Sequence, residues 1–220
     1  AWQQKGPTYF FWGISRMSNN LKELTWEHHQ NAERTEFANI LIDGDIHPRL
    51  YQKYLHSQLI IYSTLESLVD LPLKLEGVFR SSLILEDLQE LEAEHRLKEL
   101  TDFLPSVDDY VEHLSHLDNE SLIAHVYVRH FGDMHGGQII KKNVPGSGLM
   151  YEFENRSDLI AGIRELLNDD MVKEAKICFS FAERLFYELI DFWRLEDGLD
   201  EITSFIDPEY ENESDYNDDY

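Results

Sequence analysis

The chain has 220 residues, with 43 Asp and Glu against 19 Lys and Arg, giving a formal net charge of −24. That length suits one domain with a sizeable core, and 42% apolar and 12% aromatic content makes most of it globular rather than disordered. So acidic a chain lacks the basic stripe that displaces counterions from nucleic acid, and its one cysteine, Cys178, excludes an internal disulfide and any multi-cysteine zinc centre.

Residues 1–16 carry Trp, Gly, Pro and paired Phe without period, and Met17-Ser18-Asn19-Asn20 reads like a native start, so 1–16 are expected to be a vector or tag remnant. Leu21, Leu24, His28 and Ala32 then recur at helical spacing, with Ser18, Asn19 or Asn20 available as N-cap. A turn at Asp43-Gly44-Asp45 leads to Pro48, which the first turn of a helix tolerates; that helix should reach about Leu68 with Leu55, Leu59, Tyr62 and Leu65 on one stripe. Pro72 interrupts, and a third helix follows through Leu83, Leu88, Leu91 and His95. Pro105 opens a short helix with Tyr110 and Leu114; Asn119 or Ser121 opens a longer one, expected to reach Lys142 before Pro145-Gly146-Ser147-Gly148 ends it. Ser157-Asp158 caps a helix to Leu167, and the last runs from about Asp170 to Leu195.

Strand-like alternation is nearly absent, and no run approaches the roughly 20 apolar residues of a membrane span. The expected fold is an all-α bundle of seven or eight helices, one domain over 17–195, soluble, cytoplasmic and monomeric. Residues 196–220 hold eleven acids and no Lys or Arg, which predicts an acidic tail, unfolded at least from Pro208.

One segment strains the helical pattern. Gly132, Gly136 and Gly137 fall within six residues of a convincing helix, each costing about 1 kcal/mol relative to Ala. Either a loop divides two shorter helices, or two helices pack closely, or a kinked helix lays its backbone directly on a flat ligand. Gly132 and Gly136 share a face, as the last reading requires. His29, on the first helix, shares a face with Lys22, Trp26 and Glu33. Its imidazole can ligate iron or zinc through one nitrogen while Glu33 orients the other, or it can be an ordinary surface histidine. His28 turns about 100° away and reads as structural.

Together these segments carry a resemblance. Leu21-Lys22-Glu23-Leu24-Thr25-Trp26-Glu27-His28-His29-Gln30-Asn31-Ala32-Glu33 resembles the proximal helix of heme oxygenases. Tyr127 through Gln138, with Gly132-Asp133-Met134-His135-Gly136-Gly137-Gln138 at its core, resembles their distal helix, and the similarity extends from about Ser18 to Leu195. The resemblance implies a helical bundle with heme between a proximal helix near 20–35 and a kinked distal helix near 119–142. It implies that His29 is the axial iron ligand and Glu33 its hydrogen-bonding partner. Gly132, Gly136 and Gly137 would form the distal glycine segment, the first two lying over the heme face. Asp133 would anchor the distal waters that supply protons, with Arg129 and Tyr62 in the same network. Lys22, Arg164 and Tyr127 match positions facing the heme propionates, and Phe179 matches an aromatic position on the pocket wall.

The implied activity is oxidation of heme, both cofactor and substrate, by dioxygen to biliverdin (the IXα isomer), CO and ferrous iron. Such an enzyme would feed bilin pigment synthesis or iron release. Electrons would come from an external donor such as ferredoxin or a flavoprotein reductase, since no Gly-x-Gly-x-x-Gly follows a strand. His135 stands where the family usually has Ser and is expected to face solvent. Trp26 and Ile160 stand where Lys is frequent, which thins the propionate cluster.

Three other readings compete. Glu92-Ala93-Glu94-His95 contains one Glu-x-x-His, but a di-iron carboxylate site needs two, and no second occurs. A heme-binding carrier would explain His29 and the glycines while leaving Asp133 without a task. A thiaminase-like hydrolase would need a nucleophilic cysteine in the pocket, whereas Cys178 sits among core residues of the last helix.

Overall fold

The computed structural model describes residues 21–205, with 197–205 as backbone only. The expected tag remnant, the caps at 18–20 and the tail from 206 lie outside the described residues. The helices are α1 (Leu21–Leu24), α2 (Trp26–Glu33), α3 (Glu36–Asp43), α4 (Pro48–Leu68), α5 (Ser81–His95), α6 (Pro105–Ser115), α7 (Asn119–His135), α8 (Gly137–Ile140), α9 (Arg156–Leu166) and α10 (Val172–Phe205). Three 3-10 turns connect them, and no strand occurs among the described residues. None of these helices is long and apolar enough to cross a membrane.

The extra helices come from division of expected ones. Thr25 leaves helical geometry at φ −107° and ψ 0°, separating α1 from α2, while its hydroxyl donates to the Leu21 carbonyl at 2.7 Å. Thr35 ends α2 and starts α3, donating to Ala32 O at 2.9 Å and accepting from Ala38 N at 3.3 Å as an N-cap. Gly44 then closes α3 at φ 83°, a left-handed position that glycine adopts without a Cβ clash. The helix expected over 119–142 divides at Gly136, which keeps right-handed angles and bonds its N–H to Gly132 O at 2.8 Å. The cap expected at Ser157-Asp158 gives way to Asn155, left-handed at φ 51°, with α9 starting at Arg156. The last helix continues past Leu195 to Phe205, so the start of the acidic segment is helical, and the stretch from Pro208 expected to be unfolded lies outside the described residues.

The long helix α4 is the central beam, packed by α5, α6, α7 and α10. Its core stripe of Leu50, Leu55, Ile61 and Leu65 is essentially inaccessible, at about 25 cal/mol per Å² of apolar area removed from water. Two acids on α5 anchor the long connection after α8: Asp87 accepts from Leu149 N and Met150 N at 2.7 and 2.8 Å, and Glu90 accepts from Ser147 N at 2.9 Å. Both α2 and α7 pack on α10, which leaves a cleft bounded by these three helices with α4 beneath.

Gly137 does not face that cleft. It is buried against Tyr151, where an added Cβ would overlap the phenol ring. Gly137→Ala should therefore destabilise the heme-free protein by about 1–3 kcal/mol, the cost of overpacking, despite Ala's better helix propensity. Chemical denaturation measures this, and an unchanged midpoint would show that Tyr151 yields freely.

Candidate functional site

Helix α2 gives the cleft Trp26, His29, Ala32 and Glu33, and α7 gives it Tyr127, Val128, Arg129, Phe131, Gly132 and Asp133. Lys22, Gly136 and Phe179 also line it, so the structure gathers ten of the twelve expected site residues around one cavity. Arg164 and Gly137 are the exceptions. Arg164 lies outside the wall, with its guanidinium 5.7 Å from the centroid of Phe131, which does line it.

The α2 side centres on His29. Its Nδ1 lies 3.4 Å from the Glu33 carboxylate one turn on. Trp26 stacks on the imidazole at 9° with centroids 5.5 Å apart, and Phe179 meets it edge-on at 5.7 Å. With Glu33 beside Nδ1 and rings on two sides, Nε2 is the nitrogen left for a ligand. His28, on the neighbouring face, does not line the cleft.

The α7 side presents bare backbone. An added Cβ at Gly132 would meet nothing within 4 Å, and at Gly136 it would meet only the Gly132 carbonyl, at 3.2 Å. Gly132 therefore weakens the helix without any packing reason inside the protein, whereas a Cβ at Gly136 would crowd the Gly132 carbonyl. A flat ligand lying on the backbone supplies that reason. His135 is half-buried rather than solvent-facing, because its Nδ1 donates to Phe131 O at 2.8 Å.

Beside the glycines is a buried polar network. Tyr62 of α4 donates to Asp133 Oδ2 at 2.5 Å. Arg129 donates to Gln58 Oε1 at 3.2 Å and to the Tyr110 hydroxyl at 3.0 Å, while its Nη2 has no partner among the described residues. Burial raises the Asp133 carboxyl to about 6, against the lowering effect of Tyr62 and the arginines Arg129 and Arg80. It can therefore hold or release a proton near neutral pH. Burial likewise drives His130 down to about 3, so this neighbour stays neutral, its Nδ1 donating to Val126 O at 3.0 Å.

Gln58, Tyr54 and Tyr110 were not singled out from the sequence. Tyr54, Gln58 and Tyr62 recur every fourth residue on α4, and a glutamine on the apolar stripe was the available signal. Cys178 reaches the cleft wall, contrary to the purely internal place expected for it. It is fully buried and burial raises its pKa, so it stays a thiol and is no nucleophile. Glu92 accepts from Gln52 at 2.7 Å and His95 is exposed, which leaves the di-iron reading without a centre.

The raised Asp133 carboxyl makes a signed prediction. Its folded pKa lies above the unfolded value, so stability from this group is full below about pH 4 and is lost as pH rises through about 6. Asp133→Asn cannot ionise, so in heme-free protein its melting temperature should gain on the parent's as pH rises from about 4 to about 6, and the gain should level off above that. A difference independent of pH would show that Asp133 is not buried as a carboxylate.

Three comparisons bear on this cleft. The heme oxygenase of Guillardia theta is 28% identical over 208 residues, covering 79% of this chain and 87% of its own. Heme oxygenase 2 of Rattus norvegicus is 26% identical, covering 84% and 71%. Among solved structures, heme oxygenase-1 of the cyanobacterium Synechocystis in complex with heme superposes at a TM-score of 0.70 and 24% identity, over 84% of this chain and 97% of that one. The heme oxygenase of Leptospira interrogans superposes at 0.65 and 28% identity, over 77% and 97%. The family model described as heme oxygenase matches residues 15–188, which takes in every wall of the cleft, and with that match the chain belongs to the heme oxygenase family.

Proposed function

We propose that this chain is a heme oxygenase that oxidises heme to biliverdin IXα, CO and ferrous iron, with dioxygen and electrons from an external ferredoxin or flavoprotein. The observation that carries the reading is one cleft holding a histidine beside a carboxylate, a glycine with no packing reason of its own and a carboxylic acid poised near neutrality. These residues fit a heme: an imidazole for the iron, bare backbone for a flat face, and apolar walls from Leu41, Phe131, Phe179 and Phe186.

Bound heme supplies the iron that takes up dioxygen and the porphyrin ring that is opened. In this assignment His29 holds the iron, and the Glu33 carboxylate, 3.4 Å from Nδ1, orients the ring directly or through water. Gly132 and Gly136 admit the macrocycle and a small gaseous co-substrate against the α7 backbone. Asp133, held by the Tyr62 hydroxyl, orders water and exchanges a proton with it, while the partnerless Arg129 Nη2 supplies a donor for that water. Lys22, Tyr127 and Arg164 serve the propionates, Arg164 from outside the cleft wall beside Phe131. Because Trp26 stacks on His29 where a lysine is frequent in the family, the propionate edge relies on fewer cations.

His29→Ala should remove the residue that would hold the iron with the helix preserved, so the spectrum of the ferric complex changes and added imidazole restores it. If His28→Ala does this instead, the α2 assignment is wrong. Asp133→Ala should bind hemin about as well as the parent and yield biliverdin about 100-fold more slowly, the scale of a lost proton-transfer group. A heme carrier would show no biliverdin from the parent either, so single-turnover chromatography separates the two readings.

Gly132→Ala separates stability from function. It should stabilise the heme-free protein by up to about 1 kcal/mol, since Ala is the better helix former and the added methyl meets nothing. The same methyl should weaken hemin binding or slow oxidation. A variant both less stable and fully active would sink the idea that the glycine serves the ligand.

A further inference from the structure

Behind the cleft, a second group of titratable side chains converges where α6 and α7 pack on α10. His113 of α6 and His125 of α7 both bring Nε2 to the Glu174 carboxylate of α10, at 2.9 and 3.4 Å. One ligand atom from each of the three lies within 4.8 Å of the others, and no second such group occurs among the described residues. A tetrahedral zinc ion with bonds near 2.0–2.1 Å holds its ligands roughly 3.3 Å apart. The observed separations straddle that value, so small rotations would close a shell.

Burial grades across the group. The His125 side chain is fully buried, while Glu174 and His113 retain 13% and 26% exposure. His125 therefore forms the floor and the other two an open rim, through which a hydrated ion can enter and keep water as further ligands. The strongly negative chain also concentrates cations near its surface.

Hydrogen bonding around Tyr110 decides whether His125 can offer a lone pair. The Tyr110 oxygen accepts from Arg129 Nε at 3.0 Å and lies 2.6 Å from His125 Nδ1 and 3.3 Å from Cys178 Sγ. Without an ion, His125 protonated on Nε2 donates to Glu174 and accepts from Tyr110 at Nδ1; with a cation in place its proton moves to Nδ1, and Tyr110 accepts from both neighbours and gives its own proton to Cys178. Nε2 is then an unprotonated acceptor facing Glu174. A buried histidine with its second nitrogen fixed by a hydrogen bond is the usual setting of a metal ligand.

We propose that His113, His125 and Glu174 form a divalent transition-metal site of two-histidine, one-carboxylate type, separate from the heme cleft and taking Zn2+ or a cation of similar softness. The site does not rest on the heme oxygenase reading, since none of its three ligands lines the cleft.

The test uses the heme-free full chain and Co2+, the spectroscopic stand-in for Zn2+. One equivalent of Co2+ should be retained with the intense visible bands of a low-coordinate ion, and Zn2+ should displace it. His113→Ala and Glu174→Gln, both at the accessible rim, should weaken retention by at least about tenfold, and His95→Ala should not. Histidine ring 15N spectra of the unaltered protein supply a check that needs no variant: Zn2+ should shift two Nε2 resonances and spare those of the cleft. The proposal is overturned if the parent retains neither ion at micromolar concentration. It is equally overturned if both rim variants bind as the parent does, or if no Nε2 resonance moves.

Discussion

The cleft depends on keeping an arginine and an aspartate buried together inside a helical bundle without filling the space between them. Each charge alone would cost several kcal/mol to desolvate, so the bundle must surround both with donors and acceptors. It does so from α4 and α6: Tyr62 serves Asp133, while Gln58 and Tyr110 serve Arg129. The compensation is partial. Asp133 still has its pKa raised to about 6, and Arg129 keeps one nitrogen without a partner. Fully satisfied, the same groups would be a structural salt bridge. Left short by one acceptor and near neutrality, they are suited to binding water and passing protons.

The glycines follow the same logic on the backbone. Gly137 is required by packing, because Tyr151 occupies the place of its side chain. Gly132 faces open space, so nothing in the protein repays the helix propensity it gives up. Three glycines that look alike in sequence thus have two different physical reasons, and only the missing contact at Gly132 points to a ligand.

This contrast marks what could be read from the chain alone. The helical periodicity, Pro48 and Pro105 at N1, and the order of the long helices α4, α5, α6 and α7 are local properties, and they were legible. The helix expected near 20–35 does end before Thr35, whereas α3 beyond it was not read as a separate element, because the apolar residues Phe37, Ile40 and Leu41 continue the helical period. A threonine cap changes the path of the chain without changing that period. Gly137 was grouped with its neighbours because its partner, Tyr151, comes from a loop whose docking no local pattern reveals. Arg164 was placed at the propionates by position; it does not line the cleft, and its guanidinium lies beside Phe131, which does. Gln58 and Tyr110 were overlooked because a polar residue on an apolar stripe declares itself only when its partner Arg129 is brought to it from another helix.

Tyr110 links the two polar regions. Its single oxygen meets Arg129 on the cleft side and His125 on the side of His113 and Glu174. A phenol has one proton to give, so the tautomer of His125 fixes which neighbour Tyr110 donates to, and hence the electron density left for the Arg129 contact. Whatever fixes His125, a proton or a cation, is felt one hydrogen bond from the guanidinium beside Gly132 and Asp133. Such coupling is reciprocal: a ligand in the cleft that reorients Arg129 must bias the His125 tautomer by the same free energy.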